Sequence, residues 1–593
     1  MFSYMNRNRA PVIMKYKLNT ENTTTFAAIK KFMPILRGEQ KNMLSALFAL
    51  LINTVVSLVA PIIFGITIDT SIQHKEYSGV ITASIMLFVL FFIGFVASYF
   101  QTKLMGAVGQ RLLFKLRNEI FVKLQELPVA FFNQNKAGDL ISRINNDTDK
   151  LNQFFSQALM QFVGSLFMMI GAAIFILALD IRLGAAALAP AVLVIIFTQI
   201  ISPWIKKKNA VNLQAVGGMS AEIQESLDNF KVVVAFNRRD YFRKRFQSVN
   251  HANYRSAIMA GIANTIFTPV YGLASNIAQI VVLFYGIYLI SQNQFTVGFL
   301  ISYFVYLTRF YDPIRQIAGI WSNFQVALAG WDRISAVLAL SSDLPVLPKD
   351  EGIAHAGVLT FREVSFGYEG KDVLKKISFT LEKGKTYALV GPTGGGKTTT
   401  ASLMARLYDP ISGEVLLDGR GMRSYETDER TQKIGFILQE PFLFTGTVKE
   451  NILYGNEKYM KYSDKELVEV IKEHGLSEML KRFDQGLETQ VTSHGETISL
   501  GQRQLIAFVR AILRKPELLI LDEATANIDT VTEKLLGVIL DKLPKQTTKV
   551  IIAHRLNTIE NADEIFFVNA GKIVQAGSFK HAMSLLLEGK RES

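Results

Sequence analysis

Five stretches of this 593-residue chain run for more than twenty residues without an Asp, Glu, Lys or Arg: Asn42–Ile68, Ile81–Thr102, Gln153–Leu179, Leu183–Pro203 and Ile258–Ser291. A helix needs roughly 20 apolar residues to cross a hydrocarbon core about 30 Å thick. One charge at its centre costs about 2.5–3.5 kcal/mol on insertion scales. Five such runs in series therefore predict membrane spans rather than buried helices of a soluble enzyme. A sixth span is expected at Phe295–Ala318, which carries Arg309, Asp312 and Arg315. Only 19% of residues are charged, against roughly 25% in soluble domains.

The formal net charge of +13 could signal nucleic acid, but its placement follows the membrane. Lys and Arg number eight in residues 1–41, eight in 103–150 and ten in 204–257, against Lys75 and Arg182 on the opposite side. Cytoplasmic flanks are enriched in Lys and Arg. Both termini are therefore expected in the cytoplasm of a multi-pass protein of the plasma or inner membrane, with no nucleic-acid partner. The first 40 residues lack an apolar core long enough for a cleaved signal peptide, so the first run is expected to stay as an anchor. The absence of cysteine excludes disulfides, thiolate metal sites and thiol switching. Gln110–Gln125 and Met219–Phe236 keep apolar residues at helical spacing. The spans are thus expected to continue as rods, twenty more residues reaching about 30 Å into the cytoplasm.

Ser341–Asp350, with two prolines and several charges, reads as a linker to a soluble domain. There a short apolar run from Thr386 leads into Gly391-Pro392-Thr393-Gly394-Gly395-Gly396-Lys397-Thr398, and a helical pattern continues over Thr399–Leu407. Strand, glycine-rich loop and helix stand in the order of a phosphate-binding P-loop. Its glycines let backbone N–H groups close around phosphate oxygens, Lys397 reaches the β and γ phosphates, and Thr398 suits Mg²⁺. Thr399 joins the loop residues expected to hold the nucleotide. Leu518–Leu521 describes a buried parallel strand that runs into Asp522 and Glu523. Asp522 suits Mg²⁺, and Glu523 suits a general base that polarises an attacking water.

Twenty residues before that acidic pair, Ile498-Ser499-Leu500-Gly501-Gln502 followed by Arg503-Gln504 resembles the signature sequence of ATP-binding cassette (ABC) proteins. With six spans ahead of one cassette, the chain resembles an ABC exporter half-transporter. The resemblance implies that Tyr368 stacks on adenine. It implies that Gln439 contacts Mg²⁺ and the catalytic water, that His554 reaches the γ phosphate, and that Asp529 communicates between two sites. Ser499, Gly501 and Gln502 would contact ATP held by a partner's Lys397, so a dimer is implied, a homodimer first and a heterodimer as the alternative. Leu500 stands where the family's most frequent form has glycine, and Val491–Glu496 departs from its usual glycine- and acid-rich loop.

The expected fold is a membrane α-helical bundle of six transmembrane helices with cytoplasmic extensions, fused to an α/β P-loop nucleotide-binding domain with a helical subdomain. The expected divisions are an N-terminal segment at 1–41 with an amphipathic elbow at Phe26–Leu36, a transmembrane domain at 42–335, a linker at 336–355 and a cassette at 356–593. Coupling helices are implied near Asn133–Gly138 and Ser220–Asn229. The implied function is ATP hydrolysis, with ATP and Mg²⁺, driving export of hydrophobic or amphipathic drugs or lipids across the bilayer. A dedicated exporter of a lipid-linked sugar or peptide, or an ATP-gated channel or sensor, are the alternatives. Phe299, Tyr303, Tyr306 and Phe310 share one helix face, suited either to flat cargo or to packing on another helix. Arg309, Asp312 and Arg315 are expected to pair with one another, with Arg309 also a candidate for an anionic headgroup.

Overall fold

The computed structural model describes residues 36–340, 344–348, 357–368, 370–492, 498–522, 529–552, 562–577, 580, 581 and 584. The elbow expected at Phe26–Leu36 thus lies, apart from Leu36, outside the described residues. The chain forms two compact units. One holds the helices up to Leu124 and again Gly138–Ala339; the other holds Gln125–Ala137 together with the chain from Leu340 onward.

In the helical unit lie α1 (Gln40–Ile72), α2 (Tyr77–Glu126), α4 (Ala137–Leu179), α5 (Ile181–Asp228), α6 (Phe230–Ala235), α7 (Arg239–Ser291) and α8 (Val297–Leu338), while the short α3 (Val129–Gln134) belongs with the second unit. Among the described residues, α1, α2, α4, α5 and α7 are long and apolar enough to cross a membrane. These are the five charge-free runs. The sixth expected span is a helix of 42 residues without a break, but Arg309, Asp312 and Arg315 leave it outside that set. Large apolar side chains such as Phe88, Phe95 and Phe284 are exposed on the bundle surface, as a lipid-facing helix requires.

The rods form, one of them shorter than its sequence pattern suggests. Helix α2 runs 50 residues, about 75 Å at 1.5 Å per residue, and takes in all of Gln110–Gln125. Helix α5 stops at Asp228: the Asn229 side chain donates to the Glu225 carbonyl at 2.9 Å, beside its own backbone N–H at 3.2 Å, and the Asn229 backbone leaves the helical range at φ −99° and ψ 16°. Of the expected segment Ser220–Asn229, all but Asn229 is the end of α5, and a separate short helix, α6, follows at Phe230–Ala235.

In hydrocarbon a polar group without a partner has no water to turn to, and three tyrosine hydroxyls of α8 find theirs in carbonyls of neighbouring helices. Ile176 lies within the last four residues of α4, whose carbonyls lack intrahelical partners, and the Tyr303 hydroxyl donates to its oxygen at 2.6 Å. The Tyr306 hydroxyl donates to the Leu58 carbonyl of α1, and the Tyr311 hydroxyl donates to that of Ala187 in α5, at 2.8 Å. All three rings are buried, and Tyr306 stacks on Phe175 at 5.2 Å. Of the two readings of the aromatic face, packing holds for Tyr303 and Tyr306. The pairing expected among Arg309, Asp312 and Arg315 does not form, for none of the three makes an ion pair among the described residues.

At one end of α8 the backbones of two helices touch. A Cβ added to Gly298 would lie 2.0 Å from the Gly65 carbonyl oxygen of α1, the close approach that small residues permit in membranes. The Asp69 carboxylate fixes the contact, accepting from the Thr296 hydroxyl at 2.5 Å and the Gly298 N–H at 2.8 Å.

The second unit is built on two large sheets, with a two-stranded one of β7 (Gly446–Thr447) and β8 (Gln490–Val491) beside them. A four-stranded antiparallel sheet, ordered β2-β1-β4-β5, combines β1 (Gly357–Tyr368), β2 (Lys371–Glu382), β4 (Ser412–Leu417) and β5 (Arg420–Gly421). A six-stranded sheet, ordered β12-β11-β3-β10-β9-β6, combines β3 (Thr386–Val390), β6 (Ile434–Ile437), β9 (Leu518–Asp522), β10 (Thr548–Ile552), β11 (Glu564–Asn569) and β12 (Lys572–Gln575). All its pairings are parallel except that of β12. Both faces are covered, so its strands read as unbroken apolar runs. One core joins Phe361, Leu389, Met404 and Ile520; another joins Leu519 and Leu521 to helical residues such as Ile471 and Phe508.

Gly298→Val should separate α1 from α8 and lower the stability of the purified protein by about 1–3 kcal/mol, read as a drop in melting temperature in detergent. Gly272→Ala, at a position with nothing within 4 Å of the added carbon, should melt as the parent does. Equal melting of all three proteins would contradict the contact.

Candidate nucleotide site

The phosphate loop grows out of sheet order. Strands β3 and β9 flank β10, and Ile552 sits level with both Leu389 and Asp522. The carboxyl ends of β3 and β9 thus open on one edge, where parallel α/β sheets bind ligands. After β3 the chain turns through Gly391, Gly394 and Gly396, at φ of 146°, 82° and 111°. At Gly391 a Cβ would come within 2.0 Å of the Val568 carbonyl oxygen of β11, so glycine is required by contact as well as by dihedral.

Helix α9 (Lys397–Met404) begins at Gly396 with no side chain capping its first turn. Its leading N–H groups are thus left for an anion. Thr393, Gly394 and Thr398 are exposed at the mouth of the loop, whereas Gly395 and Lys397 are buried. The Lys397 ammonium donates to the carbonyls of Gly391 and Pro392, at 2.9 and 3.0 Å, and so sits over the loop's centre. The Thr398 hydroxyl donates to the Asp522 carboxylate at 3.4 Å. A hydroxyl and a carboxylate at that separation are oxygen donors of the kind Mg²⁺ takes alongside phosphate, so the residues fit that ion. Glu523 and His554, the expected base and γ-phosphate contact, lie outside the described residues.

Tyr368 ends β1 half-exposed, its hydroxyl donating to the Thr399 hydroxyl oxygen at 3.4 Å. That bond holds the ring beside α9. Tyr408 packs edge-on against Tyr368 at 5.4 Å, and Asn133 of α3 donates to the Tyr408 hydroxyl at 2.7 Å. Asn133–Gly138, implied as a coupling segment, therefore includes a residue tied to the aromatic group beside the loop. Gln439 is exposed just after β6, and its main-chain carbonyl accepts from the buried Gln504 side chain at 3.0 Å. Gln504 belongs to α10 (Leu500–Ile512), which links the segment of Gln439 to the signature helix.

The signature residues sit at the head of α10. Ser499 is its N-cap: its hydroxyl oxygen accepts from the Gln502 N–H at 3.2 Å, while the Gln502 side chain accepts from the Ser499 N–H at 2.7 Å. This reciprocal box satisfies two orphan donors and leaves the Ser499 hydroxyl proton free to be donated elsewhere. Gly501 faces a second cap. A Cβ there would lie 2.9 Å from the Thr532 hydroxyl and 3.2 Å from the Asp529 carboxylate. Asp529 caps α11 (Thr530–Asp541), accepting from the Val531 and Thr532 N–H groups and the Thr532 hydroxyl. Those bonds, the Thr532 hydroxyl foremost, hold the Asp529 pKa below the ordinary carboxylate value.

The structure therefore gathers Gly391 to Thr399, Tyr368 and Asp522 at one edge, and joins Ser499, Gly501 and Gln502 to Asp529. Sequence reading missed Tyr408, which follows Tyr368 by forty residues without a pattern. It also missed Thr532, whose signal was its place three residues after a capping aspartate.

Residues 43–314 match the ABC transporter transmembrane region family, and residues 374–526 match the ABC transporter family. An uncharacterised ABC transporter ATP-binding protein of Bacillus subtilis is 32% identical over 91% of this chain and 90% of its own length. A fatty acid ABC transporter ATP-binding/permease protein of Mycobacterium bovis is 30% identical over 87% of this chain and 81% of its own. An ATP-dependent lipid A-core flippase of Haemophilus influenzae is 30% identical over 96% of this chain and 97% of its own. Matched in both its regions and along nearly all its length, this chain belongs to the ABC transporter family, with a transmembrane region and an ATP-hydrolysing domain fused in one polypeptide.

Proposed function

We propose that this chain is half of an ATP-driven exporter that moves hydrophobic or amphipathic lipids or drugs across the plasma or inner membrane, its termini and cassette in the cytoplasm. The observation that carries the reading is the loop at the edge of the six-stranded sheet. There an uncapped helix start, Lys397 and the Thr398–Asp522 pair converge in a chain that also carries membrane-length helices. The relatives named for lipid A-core and fatty acid transport support amphipathic cargo.

In this reading the loop N–H groups from Gly391 to Thr399 grip the phosphates, and Lys397 exchanges its two loop carbonyls for phosphate oxygens. Thr398, Asp522 and Gln439 hold Mg²⁺, which when bound neutralises charge on the phosphates. Tyr368 offers its ring to adenine, with Tyr408 and Thr399 fixing its tilt. Glu523 takes a proton from the attacking water, and His554 contacts the γ phosphate. A second copy contributes Ser499, Gly501 and Gln502 to the same nucleotide. The open hydroxyl of Ser499 and the helix start behind it supply a second anion contact. Asp529, packed on Gly501, carries the state of one site to the other.

Dimer formation is further supported by two apolar surfaces. Helix α6 exposes Phe230, Val232 and Val234, and the cassette exposes Phe442, Phe444 and Tyr454 around a groove of about 310 Å³. We propose that α6 of one copy docks in the groove of the other, and that α3 serves as the second coupling helix. Closure of two cassettes on ATP would then swing the rods and turn the bundle outward, hydrolysis resetting it.

Glu523→Gln should lower ATP turnover by about 10²–10⁴-fold while ATP still holds the purified dimer closed. Hydrolysis at the parent rate would refute the assignment. For Lys397→Ala, loss of charge-assisted bonds worth about 1.5–3 kcal/mol should weaken ATP binding at least tenfold in an equilibrium assay with a fluorescent nucleotide. Parental affinity together with parental turnover would remove Lys397 from the site.

A further inference from the structure

In the helical unit, α1, α2, α4 and α8 line an open cavity of about 480 Å³, within the range of small-molecule sites. Its wall mixes methionines of α2 and α4 with five amides, Asn53, Gln101, Gln157, Gln161 and Gln316. None of the five amide side chains makes a hydrogen bond among the described residues. Arg309 and Asp312 face the same space. The Arg309 Nε is buried without an acceptor, and neither residue makes an ion pair among the described residues. Arg309 stands twelve residues into α8, about 18 Å from the Val297 end, and so at membrane depth. Unpaired charges at that depth line functional paths.

The combination defines a ligand chemistry. An apolar pocket would carry no amides, and a site for a purely anionic or purely cationic amphiphile would carry one sign of charge. This cavity offers one guanidinium and one carboxylate that leave each other unpaired, with neutral donors and acceptors between them. We infer that the cavity between α1, α2, α4 and α8 selects amphiphiles whose headgroup bears both charges, an anionic group such as phosphate against Arg309 and an ammonium against Asp312. The two faces act separately, because each charged side chain comes without a protein counter-ion. The methionines accept the start of the alkyl chain. This selection rests on the exporter reading and names the cargo class of that exporter.

Three probes with one alkyl chain isolate the headgroup: dodecyl phosphoethanolamine, dodecyl phosphate and dodecylammonium. The readout is the concentration giving half-maximal stimulation of ATP hydrolysis by the full-length chain in liposomes. The parent should respond to dodecyl phosphoethanolamine at a concentration at least about tenfold below that for either single-charge probe. Arg309→Gln should raise the value about tenfold for the two phosphate-bearing probes and leave dodecylammonium where it was. Asp312→Asn should do the same for the two ammonium-bearing probes and spare dodecyl phosphate, while Arg309→Lys should keep the parental order. Equal shifts for all three probes, or a parent that hydrolyses ATP yet responds to none of them, would overturn the selection and leave the exporter intact. A parent that hydrolyses no ATP would overturn the exporter reading itself.

Discussion

A polar group placed in hydrocarbon must find its partner within the protein, and that constraint organises the helical unit. It explains why the spans are unbroken helices that accommodate Pro61, Pro190, Pro203 and Pro313 within them. It explains why Tyr303, Tyr306 and Tyr311 turn inward to carbonyls of α4, α1 and α5 rather than outward to lipid. It also explains why the Gly65–Gly298 contact, which has no apolar driving force in lipid, is held by the Asp69 carboxylate. The same constraint gives the cavity at Arg309 its meaning, because amides and charges left unpaired at that depth are costly unless something else completes them.

The cassette treats its helix starts in two ways. Helix α9 is left uncapped behind the glycine loop, whereas α10 is capped by Ser499 and Gln502. An uncapped start offers N–H groups directly to phosphate. A capped one offers a rigid helix and a serine hydroxyl already held in place. A nucleotide between two copies would meet one of each, which suits a clamp that forms only when both cassettes close. Gly501 against Asp529 and Thr532, and Gln504 against the Gln439 carbonyl, join that clamp to neighbouring segments without intervening water.

The sequence made legible whatever depends on local pattern. Charge-free runs located α1, α2, α4, α5 and α7, and glycine spacing located the loop before Lys397. Four apolar residues before Asp522 located β9, buried on both faces. What it hid depends on pairs far apart in the chain. Spacing put Tyr303 and Tyr306 on one face of α8 but could not say whether that face met cargo or carbonyls at Ile176 and Leu58. Arg309, Asp312 and Arg315 looked able to pair because intervals of three are close on a helix, yet tertiary placement turned Arg309 toward a cavity. At the end of α5 the Asn229 backbone leaves the helical range and its side chain folds back on Glu225, a choice between continuing a helix and capping it that apolar periodicity does not register.

The central claim is that ATP bound between paired cassettes drives the membrane bundle to move an amphipathic solute uphill. Its most direct measurement uses the purified chain alone in sealed liposomes with cassettes facing out and a fluorescent amphiphile at equal concentration on both sides at the start. With ATP the solute should accumulate inside above its outer concentration, and Glu523→Gln should abolish the gradient. Movement that stops at equal concentrations, with ATP hydrolysed throughout, would contradict the account and identify a nucleotide-gated path instead.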